Sequence, residues 1–227
     1  MRAQVADFLK LDPFDPKFAS VRAVLLDPSC SGSGTASADV DASIAAAAAA
    51  LESTTGGTTT KEGEGQRQRQ RERERDERER RERRVAKLAS FQLSALKHAL
   101  SFPGALRVAY STCSVHAEEN ERVVARALAW LRGEEEGDEG GKKSGSSGGA
   151  GSGDADASAS ASASASPLAL PPPKGWRLAR ALPDWPTRGI PEEGNALTLS
   201  AGDAAKVIRA HPATDGTDGF FVAVFER

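Results

Sequence analysis

VRAVLLDPSCSGSG, residues 21–34, sets a short β-branched and leucine-rich run, Val21–Leu26, against an abrupt stop at Asp27-Pro28. A continuous apolar run of that length predicts a strand buried on both faces. The small residues after it predict a tight loop at the strand's carboxyl end. The arrangement returns at Leu106–Tyr110, LRVAY, which is followed by Ser111-Thr112-Cys113-Ser114. Between the two, Leu88–Leu100 places Leu88, Phe91, Leu96 and Leu100 on one helical face, with Lys97 and His98 elsewhere, and Pro103-Gly104 ends the helix. Ser114–Leu131 predicts a second helix: Ser114 is its cap, Glu118, Glu119 and Glu121 favour its positive end, and Val124, Leu128 and Leu131 are its buried face. Lys206–Arg209 and Phe220–Phe225 flank a Pro/Thr/Asp/Gly turn and predict a closing β-hairpin. Strand and helix alternating with short loops predict an α/β domain on a parallel sheet.

The rest of the chain is unlike this core. Of 227 residues, Ala36–Arg84 and Gly133–Ser166 are low in complexity. The first tract opens with Ala and Gly/Thr stretches and ends in Gln66–Arg84, ten arginines among six acids. There Glu74 with Arg78, Glu77 with Arg81 and Glu79 with Arg83 have the spacing of helical ion pairs. With no apolar stripe, that run is either a solvated lone helix or a disordered segment. The second tract has the composition of a flexible linker. Both are read as surface insertions, dividing the chain into core 1–35, insertion 36–84, core 85–132, linker 133–166 and core 167–227. The whole chain carries a formal charge of −2, but the 144 residues outside the tracts hold 17 Lys+Arg against 14 Asp+Glu, a mild lean toward anionic partners.

Two cysteines exclude a disulfide-rich scaffold, and with three histidines they leave little for a structural zinc site. No apolar run approaches the roughly 18–20 residues of a membrane span, and Met1–Lys10 lacks the layout of a secretory signal. No metal and no membrane are expected, and an intracellular, reducing setting is.

Cys30 and Cys113 each lie just past the carboxyl end of a predicted strand, where open parallel α/β sheets bind their ligands. Small residues around each thiol let a flat substrate approach the backbone. Cys113, at the start of the second predicted helix, is placed for a dipole that favours its thiolate. Against this, a single cysteine near a strand end is more often a small buried hydrophobe. A Cys30–Cys113 disulfide does not suit a reducing compartment. Ser31–Gly34 is not a phosphate loop, having no Gly-Lys-Ser/Thr after it, and it does not fit the serine-hydrolase elbow. On residue chemistry alone, a two-thiol site and simple core packing both stand.

Asp27–Gly34, Tyr110–Ser114 and the following Glu118-Glu119-Asn120-Glu121 resemble the Nop/Sun (RsmB-like) family of RNA cytosine-carbon-5 methyltransferases. Most of that family has two prolines before the first cysteine. Ser29 in the second place is similar to the eukaryotic subgroup acting on large-subunit ribosomal RNA. Ala6–Leu9, Phe91-Gln92, Ala181–Pro183, Trp185-Pro186, Arg188-Gly189 and Gly219–Arg227 resemble that subgroup too.

The resemblance implies a Rossmann-like class I methyltransferase domain, incomplete on its N-terminal side, with two low-complexity insertions. It implies that Cys113 attacks carbon 6 of cytosine, that Cys30 helps release the product, and that Asp27 lies between the cytosine edge and the sulfonium of S-adenosylmethionine. Asp7 would lie beside the adenine of that cofactor, although an Asp before Phe-Leu is equally a helix cap. DNA cytosine methyltransferases would make Cys30 the attacker; Thr112-Cys113 with its Glu-Glu-Asn-Glu continuation favours the RNA type. Large-subunit ribosomal RNA and pre-ribosomal proteins are the implied partners, and nucleus and nucleolus the implied location. Loops that hold the cofactor's methionine and ribose precede the Asp7 motif in such enzymes, and only six residues do so here. Weak or no cofactor binding is therefore expected. A non-catalytic homologue that binds RNA or pre-ribosomes, or a scaffold assembled through the Arg/Glu run, is the alternative. Trp176 and Trp185 could stack on bases or pin loops.

Overall fold

The computed structural model describes residues 3–35, 61–134, 171–192 and 198–227, with residues 61–66 as helix backbone alone. The Ala and Gly/Thr stretches of the first insertion and nearly all of the second lie outside the described residues. The elements that position the site are strand β1 (Ala23–Leu26), helix α1 (Lys61–Leu100), β2 (Arg107–Thr112), helix α2 (Glu121–Arg132), β3 (Arg177–Ala179), β4 (Ile208–Ala210) and β5 (Phe220–Glu226).

The sheet runs in the order β1-β2-β5-β3, with β4 also on β5. β1 and β2 are parallel, in register Leu26 to Tyr110, and β5 is antiparallel to β2, β3 and β4. The sheet is therefore mixed rather than parallel: the expected hairpin of β4 and β5 forms, and β5 enters the middle of the sheet against the direction of β2. Alternation along β5 points Phe221, Ala223 and Phe225 into the core. They meet Leu93, Leu96 and Leu100 of α1, Val108 and Tyr110 of β2, and Val123, Val124 and Ala127 of α2. Burying each large apolar side chain here stabilises the fold by roughly 1.5–3 kcal/mol.

Two expectations need correction. Val21–Leu26 was to be buried on both faces, yet Leu25 is 79% exposed. Among the described residues β1 pairs only with β2, so nothing covers its outer side. Phe91 was to face the core, but it is 44% exposed, and Gln92 beside it is fully buried. The helix is turned so that Val85, Ala89, Gln92, Leu96 and Ala99 face inward, and a polar side chain occupies the stripe because it has partners there (below). His98 is buried as well, edge-on to Phe8 and Phe102. Burial holds its pKa below the ordinary histidine value.

Gln66–Arg84 is helical and continues into the core helix without a break. Of the three expected pairs, Glu79 with Arg83 forms at 3.1 Å, while Arg78 pairs instead with Glu82 at 2.8 Å. The tryptophans pin loops. The Trp176 indole donates to the Leu100 carbonyl at the end of α1, and the Trp185 indole donates to the Thr187 hydroxyl. The Arg188 guanidinium gathers the carbonyls of Ala181, Leu182 and Pro183.

Candidate active site

Because β1 and β2 are parallel neighbours, the loops leaving their carboxyl ends lie side by side. Cys30 and Cys113, separated by 83 residues of sequence, are free thiols with their sulfurs 3.2 Å apart. The Ser111 hydroxyl donates to Asp27 Oδ1 at 3.0 Å, tying the base of one loop to the last residues of the neighbouring strand. Asp27 is otherwise open to solvent. Asp27 also lies near enough to the Cys113 thiol for its charge to act on it.

The first loop is shaped by its glycines. Gly32 has φ +70°, a conformation side-chain-bearing residues rarely adopt. Gly34 crosses Gly219 at the entry to β5 so closely that a Cβ on Gly34 would lie 2.4 Å from the Gly219 carbonyl oxygen. Backbone hydrogen bonds fix the crossing: Gly34 N–H donates to the Cys113 carbonyl at 2.9 Å, and Gly219 N–H donates to the Gly34 carbonyl at 2.7 Å.

The second loop is held by the run Glu119-Asn120-Glu121, all three buried. Glu119 accepts from the Ser31 N–H (3.0 Å), the Gln92 amide (2.9 Å) and the Ser114 hydroxyl (2.6 Å). The same Gln92 amide donates to the Ser29 carbonyl at 3.0 Å. The Tyr110 hydroxyl donates to the Glu119 carbonyl. Asn120 accepts from the Thr112 hydroxyl and donates to the Ser114 carbonyl, closing the loop on itself. Glu121 accepts from the Ile190 N–H and sits 3.4 Å from the Arg209 guanidinium. Burial raises its pKa, and Arg209 opposes that shift.

These acids were read from sequence as dipole partners of a helix starting at Ser114. The helix instead starts at Glu121, and the Ser114 hydroxyl serves the loop, accepting from His116 N–H. Cys113 is thus well short of the helix, and its thiol is not lowered. It is pushed up to about 11, first by burial, then by the hydrogen bond to Cys30 and that thiol's proximity. Sequence reasoning missed Gln92 and the clamping role of Glu119. One signal was present: Glu121 continues the line of Val124 on α2, an acid on an apolar stripe.

Asp7 lies apart from this cluster in the chain's first 3-10 turn. It caps that turn by accepting from Leu9 N–H at 3.2 Å, and it pairs with Lys10 at 3.5 Å. Both its oxygens are therefore engaged. Asp7 and Asp27 are both exposed to solvent.

No sequence model of a protein family matches the chain. Individual proteins do. The chain is 33% identical over 97% of its length to the 25S rRNA (cytosine-C(5))-methyltransferase of Arabidopsis thaliana, covering 26% of that protein. It is 33% identical over 97% of its length to the 28S rRNA (cytosine-C(5))-methyltransferase of Mus musculus, covering 30%. It is 32% identical over 96% to the 25S enzyme of Schizosaccharomyces pombe, covering 32%. A solved methyltransferase homologue from Pyrococcus horikoshii aligns with a TM-score of 0.41 and 19% identity over 91% of this chain and 40% of its own. The chain thus spans about a quarter to a third of the length of these three sequence relatives.

Proposed function

Because the chain belongs to the Nop/Sun family of RNA cytosine-carbon-5 methyltransferases, we propose that it carries the two-thiol chemistry of cytosine methylation on large-subunit ribosomal RNA. The observation that bears most weight is the 3.2 Å approach of Cys30 and Cys113 at neighbouring strand ends. Carbon 5 of cytosine is too weak a nucleophile to take a methyl group unaided. Addition of the Cys113 thiol across the ring, sulfur to carbon 6 and its proton to nitrogen 3, turns the ring into an enamine. When bound, S-adenosylmethionine supplies an electrophilic methyl group. Asp27, which accepts from the Ser111 hydroxyl, would hydrogen-bond the base edge and steady the adduct. Cys30, against the attacking sulfur, serves expulsion of Cys113 once carbon 5 has lost its proton. Asp7, which caps its own turn and pairs with Lys10, is the weaker of the two cofactor residues.

Ribosomal RNA as substrate is supported by the relatives, whose names specify 25S and 28S rRNA. A nucleolar setting and pre-ribosomal protein partners follow from where such RNA is made.

The first arm of the test, carbon-5 exchange, does not depend on a complete cofactor site; the adduct arm adds the cofactor. Reversible addition at carbon 6 exchanges the carbon-5 hydrogen with solvent, so deuterium incorporation into cytosine-containing RNA is measured. Wild-type chain exchanges, Cys113→Ala does not, and with S-adenosylmethionine present Cys30→Ala accumulates a covalent RNA adduct on a denaturing gel. Adduct trapped by Cys113→Ala in place of Cys30→Ala would reverse the two roles. RNA binding with no exchange would identify a non-catalytic RNA-binding homologue.

A further inference from the structure

The amino-terminal half of α1 is not used by this chemistry. From Arg67 to Arg84 it carries ten arginines and six acids, exposed apart from half-buried Glu79. At 1.5 Å per residue, this part runs about 26 Å along the helix. It continues a segment whose position is fixed, since Gln92 is bonded to Ser29 and Glu119 in the two thiol-bearing loops.

The helix changes chemistry along one face. Stepping back from Leu96 through Gln92, Ala89 and Val85 in steps of three or four reaches Arg81, Arg78, Glu74, Arg71 and Arg67. The stripe that is buried against the sheet thus becomes basic where the helix leaves the body. At the junction is an open cleft of about 510 Å³, lined by Arg78, Arg81, Glu82 and Val85 of the helix and by His116 and Glu118 of the loop that begins at Cys113. Three of these charges are already matched, Arg78 and Glu82 by each other and Glu118 by Arg122. Arg67, Arg71 and Arg81 have no ion pair among the described residues, and they share the face that looks into this cleft. Arg69, Arg73 and Arg80, equally unpaired among the described residues, lie on the opposite face.

We infer that the Arg67–Arg81 face of α1 is a phosphate-contacting arm for RNA flanking the target base. Single arginines repeated along a rigid helix, about 6 Å apart at Arg67 and Arg71, suit the periodic charge of a nucleic-acid backbone. The cleft carries that track directly to the residues after Cys113. A folded protein or a membrane would call for apolar residues on this face, and Gln66–Arg84 contains none. The inference rests on the RNA reading above and adds how the strand is held.

Two triple variants with the same charge change test it in the full chain: Arg67→Gln/Arg71→Gln/Arg81→Gln on the cleft face, and Arg69→Gln/Arg73→Gln/Arg80→Gln on the opposite face. Glutamine is close to arginine in helix propensity, so circular dichroism should show both folded. The probe is a cytosine-containing single-stranded RNA of about 20 nucleotides, long enough to follow the arm at roughly 6 Å per residue pair. Its binding is titrated from low to physiological salt. The cleft-face variant should bind about tenfold more weakly or worse, with a salt slope lower by about 2 (roughly 0.7 per lost phosphate contact). The opposite-face variant should stay within about twofold, as expected when net charge alone is altered. Equal losses in both, or no loss in either, would overturn the arm. Carbon-5 exchange is read in parallel. Exchange with unchanged binding in the cleft-face variant sinks the arm and leaves the methyltransferase reading intact, whereas a face-specific binding loss without exchange in wild type does the reverse.

Discussion

Glu119 holds three chain segments with one carboxylate: the first cysteine loop through Ser31, α1 through Gln92, and its own loop through Ser114. A buried carboxylate is tolerated only when so satisfied. The price is a rigid environment around the thiols in which Cys113 is kept protonated. Since its thiol lies near 11, reaction with iodoacetamide should be slow at neutral pH and rise about tenfold per pH unit toward that midpoint, in line with thiolate population. In Cys30→Ala burial remains, while the hydrogen bond shared with Cys30 and that neighbour's charge, both of which raise the Cys113 pKa, are removed. The Cys113 midpoint should therefore move down, with faster alkylation at pH 8, measured by mass spectrometry of the Cys113 peptide. A midpoint unchanged or higher would mean that burial alone sets it. At this scale the meeting of the two cysteines was legible because small motifs carry them, whereas Asp7 caps its own turn, the other reading its sequence allowed. The partners of Glu119 were not, because they come from residues 27 and 88 positions away.

Among elements, the loop after β1 and the helix α1 show opposite kinds of legibility. Glycine at 32 and 34 marked a tight loop, but only the fold reveals that Gly34 is required by an approach to Gly219 rather than by a turn. Gly34→Ala should cost roughly 2–3 kcal/mol, as overpacking against backbone does, and it should displace Cys113 through the broken Gly34–Cys113 bond. Thermal melting gives the stability loss, and Cys113 alkylation gives the displacement. A variant as stable as wild type would show that the crossing can relax. For α1 the period was legible and the phase was not. Phe91 and Gln92 differ by 100° of helix, and hydrophobicity alone assigns the inner position to the phenylalanine. The buried glutamine wins because the Ser29 carbonyl and Glu119 await its amide, and Phe91 is turned outward.

For the molecule as a whole, the alternation of strands and helices was legible, while the direction of β5 was not. A hairpin signal fixes the pairing of β4 with β5 and says nothing of which way the pair enters the sheet. The open side of β1 was likewise hidden, since an apolar run looks the same whether or not a neighbour covers it. Among the described residues that side offers unpaired backbone groups beside exposed Leu25, a template for strand pairing between molecules. The isolated chain should self-associate with rising concentration in sedimentation velocity, and Leu25→Lys, which charges the edge without touching the core, should weaken that association. A monomer at all concentrations would show the edge to be covered. The crossing of Gly34 and Gly219 carries one more consequence. Residues 219–227 form the start and length of a strand in the middle of the sheet, so this segment abuts the thiol-bearing loops. A premature stop codon, a proteolytic clip or a splice variant that removes residue 219 onward would spare both cysteines and still dismantle their meeting place.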